Sequence, residues 1–159
     1  MMNKASNSEI DIVLLNNTEQ LPLEILLLAD PSEEQVMNYA LKGECYVAVV
    51  AGEVVGVYVL LQKDEHTAEI MNVAVAEYMQ GKGLGKKLIL HALEVAKSLG
   101  VKKVDIGTGN SSIGQLALYE KCGFQITGII ENFFIDNYPE PIFENEIQCR
   151  DMVRLTFFI

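Results

Sequence analysis

The short run Val73-Ala-Val75 leads through Ala-Glu-Tyr-Met into Gln80-Gly-Lys-Gly83-Leu-Gly85-Lys86, and a stretch with helical periodicity follows. Few arrangements satisfy that order. A strand, a glycine-rich turn and a long amphipathic helix make the front half of a βαβ crossover, which commits the chain to two parallel strands joined across a helix. The spacing predicts the helix over Leu84–Leu99, where Leu84, Leu88, Ala92, Val95, Ala96 and Leu99 form one apolar stripe. Gly100 ends it, and Val101–Gly107 is the second strand. Gly81, Gly83 and Gly85 leave backbone N–H groups uncovered at a helix N-terminus, the geometry that receives a pyrophosphate.

Counting removes two familiar phosphate loops. A P-loop needs four residues between its glycines and a hydroxyl after the lysine, whereas Gly81 and Gly85 enclose three and Lys87 follows Lys86. In a dinucleotide fingerprint the third glycine would fall on Lys86. What remains is Gln-x-x-Gly-x-Gly after a Val-Ala-Val strand. The plainer alternative is a solvated strand-to-helix turn that needs glycine only for its backbone.

The rest of the chain supplies elements around this crossover. Glu9–Leu15 alternates as a first strand, Leu21–Ala29 is a leucine-rich helix with Pro22 near its start, and Ser32 is placed to cap a second helix. Cys45–Ala51 and Val54–Leu61 flank Ala51-Gly52-Glu53 as a hairpin, and Thr67–Ala76 continues an antiparallel meander. A loop over Gly107–Ser112 opens a helix at Ile113–Lys121, Gly123 ends it, Phe124–Ile130 is a strand, and the tail Cys149–Ile159 is the last one. If the two parallel strands splay, a slot opens at their C-terminal ends, where open α/β sheets bind ligands.

Composition excludes several classes. The chain has 159 residues, half of them hydrophobic and 21% charged, which fits one globular domain spanning residues 1–159. Met1–Ser8 carries no apolar leader core, and no apolar run is long enough for a membrane span. Cys45, Cys122 and Cys149 form no C-x-x-C pair and read as reduced thiols of a cytoplasmic protein. A net charge of −10 argues against nucleic acid and suits a cationic ligand, although acidity also serves solubility alone. Two histidines and scattered cysteines offer no metal spacing.

Taken in order, Val73-Ala-Val75, Gln80-x-x-Gly83-x-Gly85, Asn110 and Leu118-Tyr119-Glu120-Lys121-Cys122-Gly123-Phe124 resemble the GCN5-related N-acetyltransferase (GNAT) family. The resemblance runs from about residue 45 to 134. It implies an α/β (α+β) fold with a mixed, mostly antiparallel sheet of about six or seven strands, a central parallel crossover splayed at the cofactor site, and about four helices. It further implies an acyltransferase that uses acetyl-CoA as co-substrate and a primary amine as acceptor. Val73, Ala74 and Val75 would bind the acyl-carrying arm through the backbone, Gln80, Gly81, Lys82, Gly83, Leu84, Gly85 and Lys86 the pyrophosphate, and Asn110 the pantetheine. Tyr119 matches the tyrosine that protonates the departing thiolate. The family leaves a homodimer open. A non-catalytic acyl-CoA-binding sensor or interaction module is the alternative function.

Elementary chemistry bears on these roles. Lys82 and Lys86 flank the amide cradle, as favourable partners of an anion or as ordinary surface charge. A tyrosine of pKa about 10 giving its proton to a thiolate of about 8.5 runs roughly 2 kcal/mol uphill, small enough for a hydrogen bond during C–S cleavage to help. A primary amine of pKa about 10.4 is almost entirely protonated at neutral pH, so a base is expected. Glu69, unusual inside a central strand, is the first candidate and His66 the second; an outward-facing glutamate is the alternative. Residues 131–146 mix aromatic and acidic groups, as an anionic pocket for a cationic amine or as a solvated loop.

Overall fold

The computed structural model describes residues 9–16 and 20–159. Met1–Ser8, read above as lacking a leader core, lies outside the described residues. In chain order the elements are β1 (Asp11–Leu14), α1 (Leu23–Ala29), α2 (Glu33–Lys42), β2 (Glu44–Val50), β3 (Glu53–Gln62), β4 (Thr67–Val75), α3 (Leu84–Ser98), β5 (Lys103–Gly109) and α4 (Ile113–Lys121). Then come β6 (Gln125–Ile130), α5 (Phe133–Asn137), β7 (Ile142–Glu144), β8 (Ile147–Cys149) and β9 (Met152–Phe158). Seven strands form one mixed sheet in the order β1-β2-β3-β4-β5-β9-β6, and β7 pairs with β8 in a separate hairpin. The expected parallel pair is present: Thr67–Ile70 of β4 run alongside Lys103–Ile106 of β5. The described residues form two compact units, one of those up to Leu61 with Met71–Ala92, the other of Gln62–Ile70 with Leu93–Ile159.

In the first unit, α1 and α2 bury Leu26, Val36, Tyr39 and Ala40 against Cys45, Val47, Val57, Val59 and Ala74. Helix α2 starts where Ser32 Oγ accepts a hydrogen bond from Gln35 N at 3.2 Å, a cap that contributes about 1 kcal/mol. The β2–β3 hairpin turns at Ala51 and Gly52, both at positive φ. Gly56 lets α3 lie close on β3, since a Cβ there would stand 3.0 Å from Leu88 Cδ1. One polar thread runs through this core. Asn72 Nδ2 donates to Leu26 O at 3.1 Å and to the Tyr39 hydroxyl at 2.9 Å, and that hydroxyl donates to Asp30 Oδ2 at 2.9 Å. The amide nitrogen of Asn72 is thus satisfied, whereas its Oδ1 is buried with no hydrogen-bond partner among the described residues.

In the second unit β9 runs antiparallel to both β5 and β6. The rings of Tyr119, Phe124 and Phe157 tie α4 to β9, with centroids 6.2 and 5.7 Å apart. Strand β5 runs two residues past its expected end at Gly107, so Thr108 and Gly109 belong to the strand rather than to the loop read from sequence. The strand's glycines answer to neighbours. A Cβ on Gly107 would stand 2.7 Å from Met152 Sδ and 2.8 Å from Arg154 Nη1, and one on Gly109 would collide with Cys149 Sγ. Residues 131–146, left between a pocket and a loop, contain α5, β7 and the start of the β7–β8 turn. The described residues thus hold five α-helices instead of about four.

Candidate active site

The glycine turn follows β4 in the first unit. A single 3₁₀ turn at Glu77–Met79 leads to Gln80, whose Nε2 donates back to Val75 O at 3.0 Å. Gln80 therefore braces the turn against its own strand. Gly81 and Gly83 stand at φ 77° and 83°, which a side chain rarely adopts, and a Cβ on either would meet nothing within 4 Å. Leu84, buried, anchors the helix start, and Gly85 lies in the first turn of α3. Lys87 N is the first amide of this run with a backbone acceptor, Gly83 O at 3.2 Å. No described residue accepts a hydrogen bond from the N–H groups of residues 81–86. Six consecutive free donors at the positive end of a 15-residue helix, with space beside them, form an anion cradle. Lys82 and Lys86 are exposed beside it. Upstream, Ala74 packs its methyl into the core, so only its main chain is free for a ligand, while Val73 and Val75 are half-buried.

The second unit carries the remaining residues. Asn110 is committed within the fold: Oδ1 accepts from Arg150 N at 2.7 Å and Asp151 N at 3.0 Å, and Nδ2 donates to Gln148 O at 3.2 Å. Its side chain therefore braces the exit of β8. Tyr119 lies on α4 and is 5% exposed, yet no described residue hydrogen-bonds its hydroxyl. Burial raises its pKa, with smaller contributions from the Cys122 thiol and the Glu144 carboxylate. The phenol stays protonated, and it donates a hydrogen bond more readily than it surrenders its proton.

Glu69 is neither outward-facing nor free. Its Oε2 accepts from Arg154 Nη1 at 2.9 Å, and Oε1 lies 3.6 Å from Lys63 Nζ. Arg154 Nη2 also stands 4.0 Å from Asp105 Oδ2, which accepts through its other oxygen from Thr156 Oγ1 at 2.8 Å. A carboxylate already matched to a guanidinium loses that pairing when it takes a proton, which argues against the role of base. His66 is exposed on the turn before β4 with its ring 3.4 Å from the Glu65 carboxylate. No group of three or more metal-ligating side chains occurs among the described residues.

Sequence reasoning missed Arg154 and the cluster around Glu144. Arg154 had a signal, a lone charge in the apolar run Met152-Val-Arg-Leu-Thr156, matching the lone Glu69 in β4. The serines at the start of α4 had none, because their partner lies more than 30 residues away.

Known proteins match this arrangement. Residues 16–124 fit the Acetyltransferase (GNAT) family. The chain is 54% identical over 147 residues, covering 92% of it and 95% of the relative, to the uncharacterized N-acetyltransferase YvbK of Bacillus subtilis. A crystal structure of a GNAT family acetyltransferase from Elizabethkingia anophelis with acetyl-CoA bound superposes with a TM-score of 0.92 at 49% identity, covering 94% of this chain and 98% of that one. A Bacillus subtilis acetyltransferase in complex with CoA gives 0.89 at 52%, covering 95% and 99%. With a free amide cradle behind a Val-Ala-Val strand, a parallel crossover and relatives of this closeness, the chain belongs to the GNAT acetyltransferase family and is an acetyl-CoA-dependent acyltransferase.

Proposed function

We propose that the protein is a single-domain N-acetyltransferase that moves an acetyl group from acetyl-CoA to a primary amine by direct attack, through a tetrahedral intermediate. The observation that carries this is the run of six unpaired amides at residues 81–86, a donor array suited to a pyrophosphate. Gly81, Gly83, Leu84 and Gly85 offer those amides without intervening side chains. Lys82 and Lys86 add positive charge at the rim, and Gln80 holds the turn in place. The main chain of Val73, Ala74 and Val75 aligns the acyl arm and offers an N–H to the developing oxyanion.

Tyr119 donates a hydrogen bond to the thiolate as the C–S bond breaks. Its raised pKa makes full proton transfer from the phenol steeper than in water, so the hydrogen bond carries the effect. Asn110 acts through the loop it braces, and Glu69 holds Arg154 on the sheet. The acceptor ammonium loses one proton to solvent before it attacks, and the nitrogen's second proton leaves as the tetrahedral intermediate collapses to the amide and the thiolate. A cytoplasmic setting fits three cysteines that are all buried and unbridged.

Tyr119→Phe tests the reading. Expected is a fall in kcat of about tenfold to hundredfold, read as thiol release from acetyl-CoA, with CoA affinity by calorimetry within about twofold of the parent. An unchanged kcat removes Tyr119 from the mechanism, and absence of CoA binding in the parent sinks the function itself.

A further inference from the structure

The β7–β8 hairpin brings an acidic side chain to the start of α4. Glu144 Oε1 accepts from Ser112 Oγ at 2.6 Å and lies 3.5 Å from Ser111 Oγ. Both serines are buried, whereas Glu144 is exposed. The hairpin does not need this contact to stay in place. Asn145 Nδ2 donates to Ser111 O at 2.8 Å, and Asn110 makes three further hydrogen bonds to residues 148–151. Two hydroxyls fix one carboxylate oxygen, and no described residue hydrogen-bonds the other. Tyr119, the catalytic candidate in this unit, is a buried side chain on the same helix, and the Glu144 carboxylate is the smallest of the influences that raise its pKa. Glu144 is thus a placed carboxylate with an unpartnered oxygen, held at the head of the helix that carries Tyr119.

Resting on the transferase reading above, we propose that Glu144 Oε2 receives the ammonium form of the incoming acceptor, so that the protein prefers cationic amines and disfavours amines that carry carboxylates. Glu140, Glu146 and Asp136 lie on the same segment, and the chain's net charge of −10 adds to the same sign. An acceptor such as tyramine or spermidine gains from this field. Aspartate brings two carboxylates into it and loses.

The test measures thiol release from acetyl-CoA with tyramine, spermidine and aspartate, for the parent and for Glu144→Gln. The glutamine keeps an oxygen for Ser112 and removes only the charge. Expected are a higher kcat/KM for tyramine or spermidine than for aspartate in the parent, and a KM for the better amine raised about tenfold in the variant. The variant's kcat should stay within about threefold and its CoA affinity and unfolding temperature unchanged, which a merely structural contact would not give. A KM within about twofold of the parent overturns the proposal, as does a preference for aspartate. So does failure to acetylate any of the three by a parent that binds CoA. Should Glu144→Gln not fold, the parent's KM for the cationic amine must rise with NaCl at fixed pH, and a flat KM overturns the proposal. Loss of CoA binding in the parent instead removes the transferase reading, so the two failures are separable.

Discussion

Tyr58 is wholly buried in β3, and its hydroxyl meets His91 Nδ1 on α3 at 2.8 Å. Tyr46 stacks on the Tyr58 ring at 5.0 Å and 12° between planes, closing that side. Burial raises the Tyr58 pKa, so the phenol is neutral and must place its proton. Only an unprotonated Nδ1 accepts it; were Nδ1 the donor, the buried O–H would have no acceptor among the described residues. Burial also lowers the His91 pKa below its usual value. Because the folded-state value is the lower one, the unfolded chain takes up a proton first as pH falls. The His91 contribution is therefore whole above about pH 6.5 and is lost as pH drops through the window below it. Expected is a denaturant midpoint that falls more steeply from pH 7.5 to pH 5 in the parent than in His91→Gln, whose amide oxygen still accepts from Tyr58. Identical slopes in the two proteins would remove His91 as the cause.

At the scale of elements, the glycine turn and the β7–β8 hairpin use the same backbone device with different consequences. Gly83 needs its φ of 83°, yet a Cβ there touches nothing in the chain. Gly83→Ala is expected to cost about 1–2 kcal/mol in backbone strain, leaving a folded protein. Its CoA affinity should fall at least tenfold, because the methyl and the shifted amides intrude on the cradle; calorimetry and thermal unfolding separate the two effects, and a CoA affinity within twofold would dissociate the turn from the cofactor. Such local devices were legible in the sequence. The stripe of α3 as far as Ala96, the Ser32 cap, the Ala51–Gly52 hairpin and the glycine turn each depend on residues within a few positions of one another, whereas Leu99, counted into the stripe, lies past the helix end and is exposed. The end of β5 was not legible, because Gly107 and Gly109 are glycines on account of Met152, Arg154 and Cys149, some 40 residues on. Nor was the second hairpin. Its strands are three residues long, and its turn places Asn145 and Glu146 at positive φ, where an Asn-Gly pair would have announced it. Glu69 stood out as a charge in a strand, but its meaning depended on Arg154, 85 residues away. The glycine turn with its free amides was therefore readable, and the contacts of Glu69 and Glu144 were not, because their partners come from distant segments.

For the whole molecule the governing quantity is charge. The chain carries 22 acidic and 12 basic residues, and the described ion pairs engage few of them, with Glu69 and Arg154 each counted twice. Each compact unit is also discontinuous, since both β4 and α3 contribute residues to both units, so no single cut in the chain yields either one whole. Global unfolding should then feel the repulsion of the full charge set. Exposed pairs contribute about 0–1 kcal/mol each and are screened along with the repulsion. Screening shortens the reach of a charge from about 30 Å at 0.01 M salt to about 10 Å at 0.1 M, which removes many weak repulsions for each attraction it weakens. Thermal unfolding at pH 7.5 is therefore expected to move up by a few degrees as NaCl rises from about 0.01 to about 0.3 M. Partly buried pairs are screened less, and the Glu69–Arg154 pair, with side chains 10% and 22% exposed, should survive that range. Glu69→Gln gives the control: it leaves Arg154 with only the longer, 4.0 Å contact to Asp105 and should lower the unfolding temperature at every salt concentration while preserving the upward trend. A parent whose unfolding temperature falls with salt would mean that the ion pairs outweigh the repulsion.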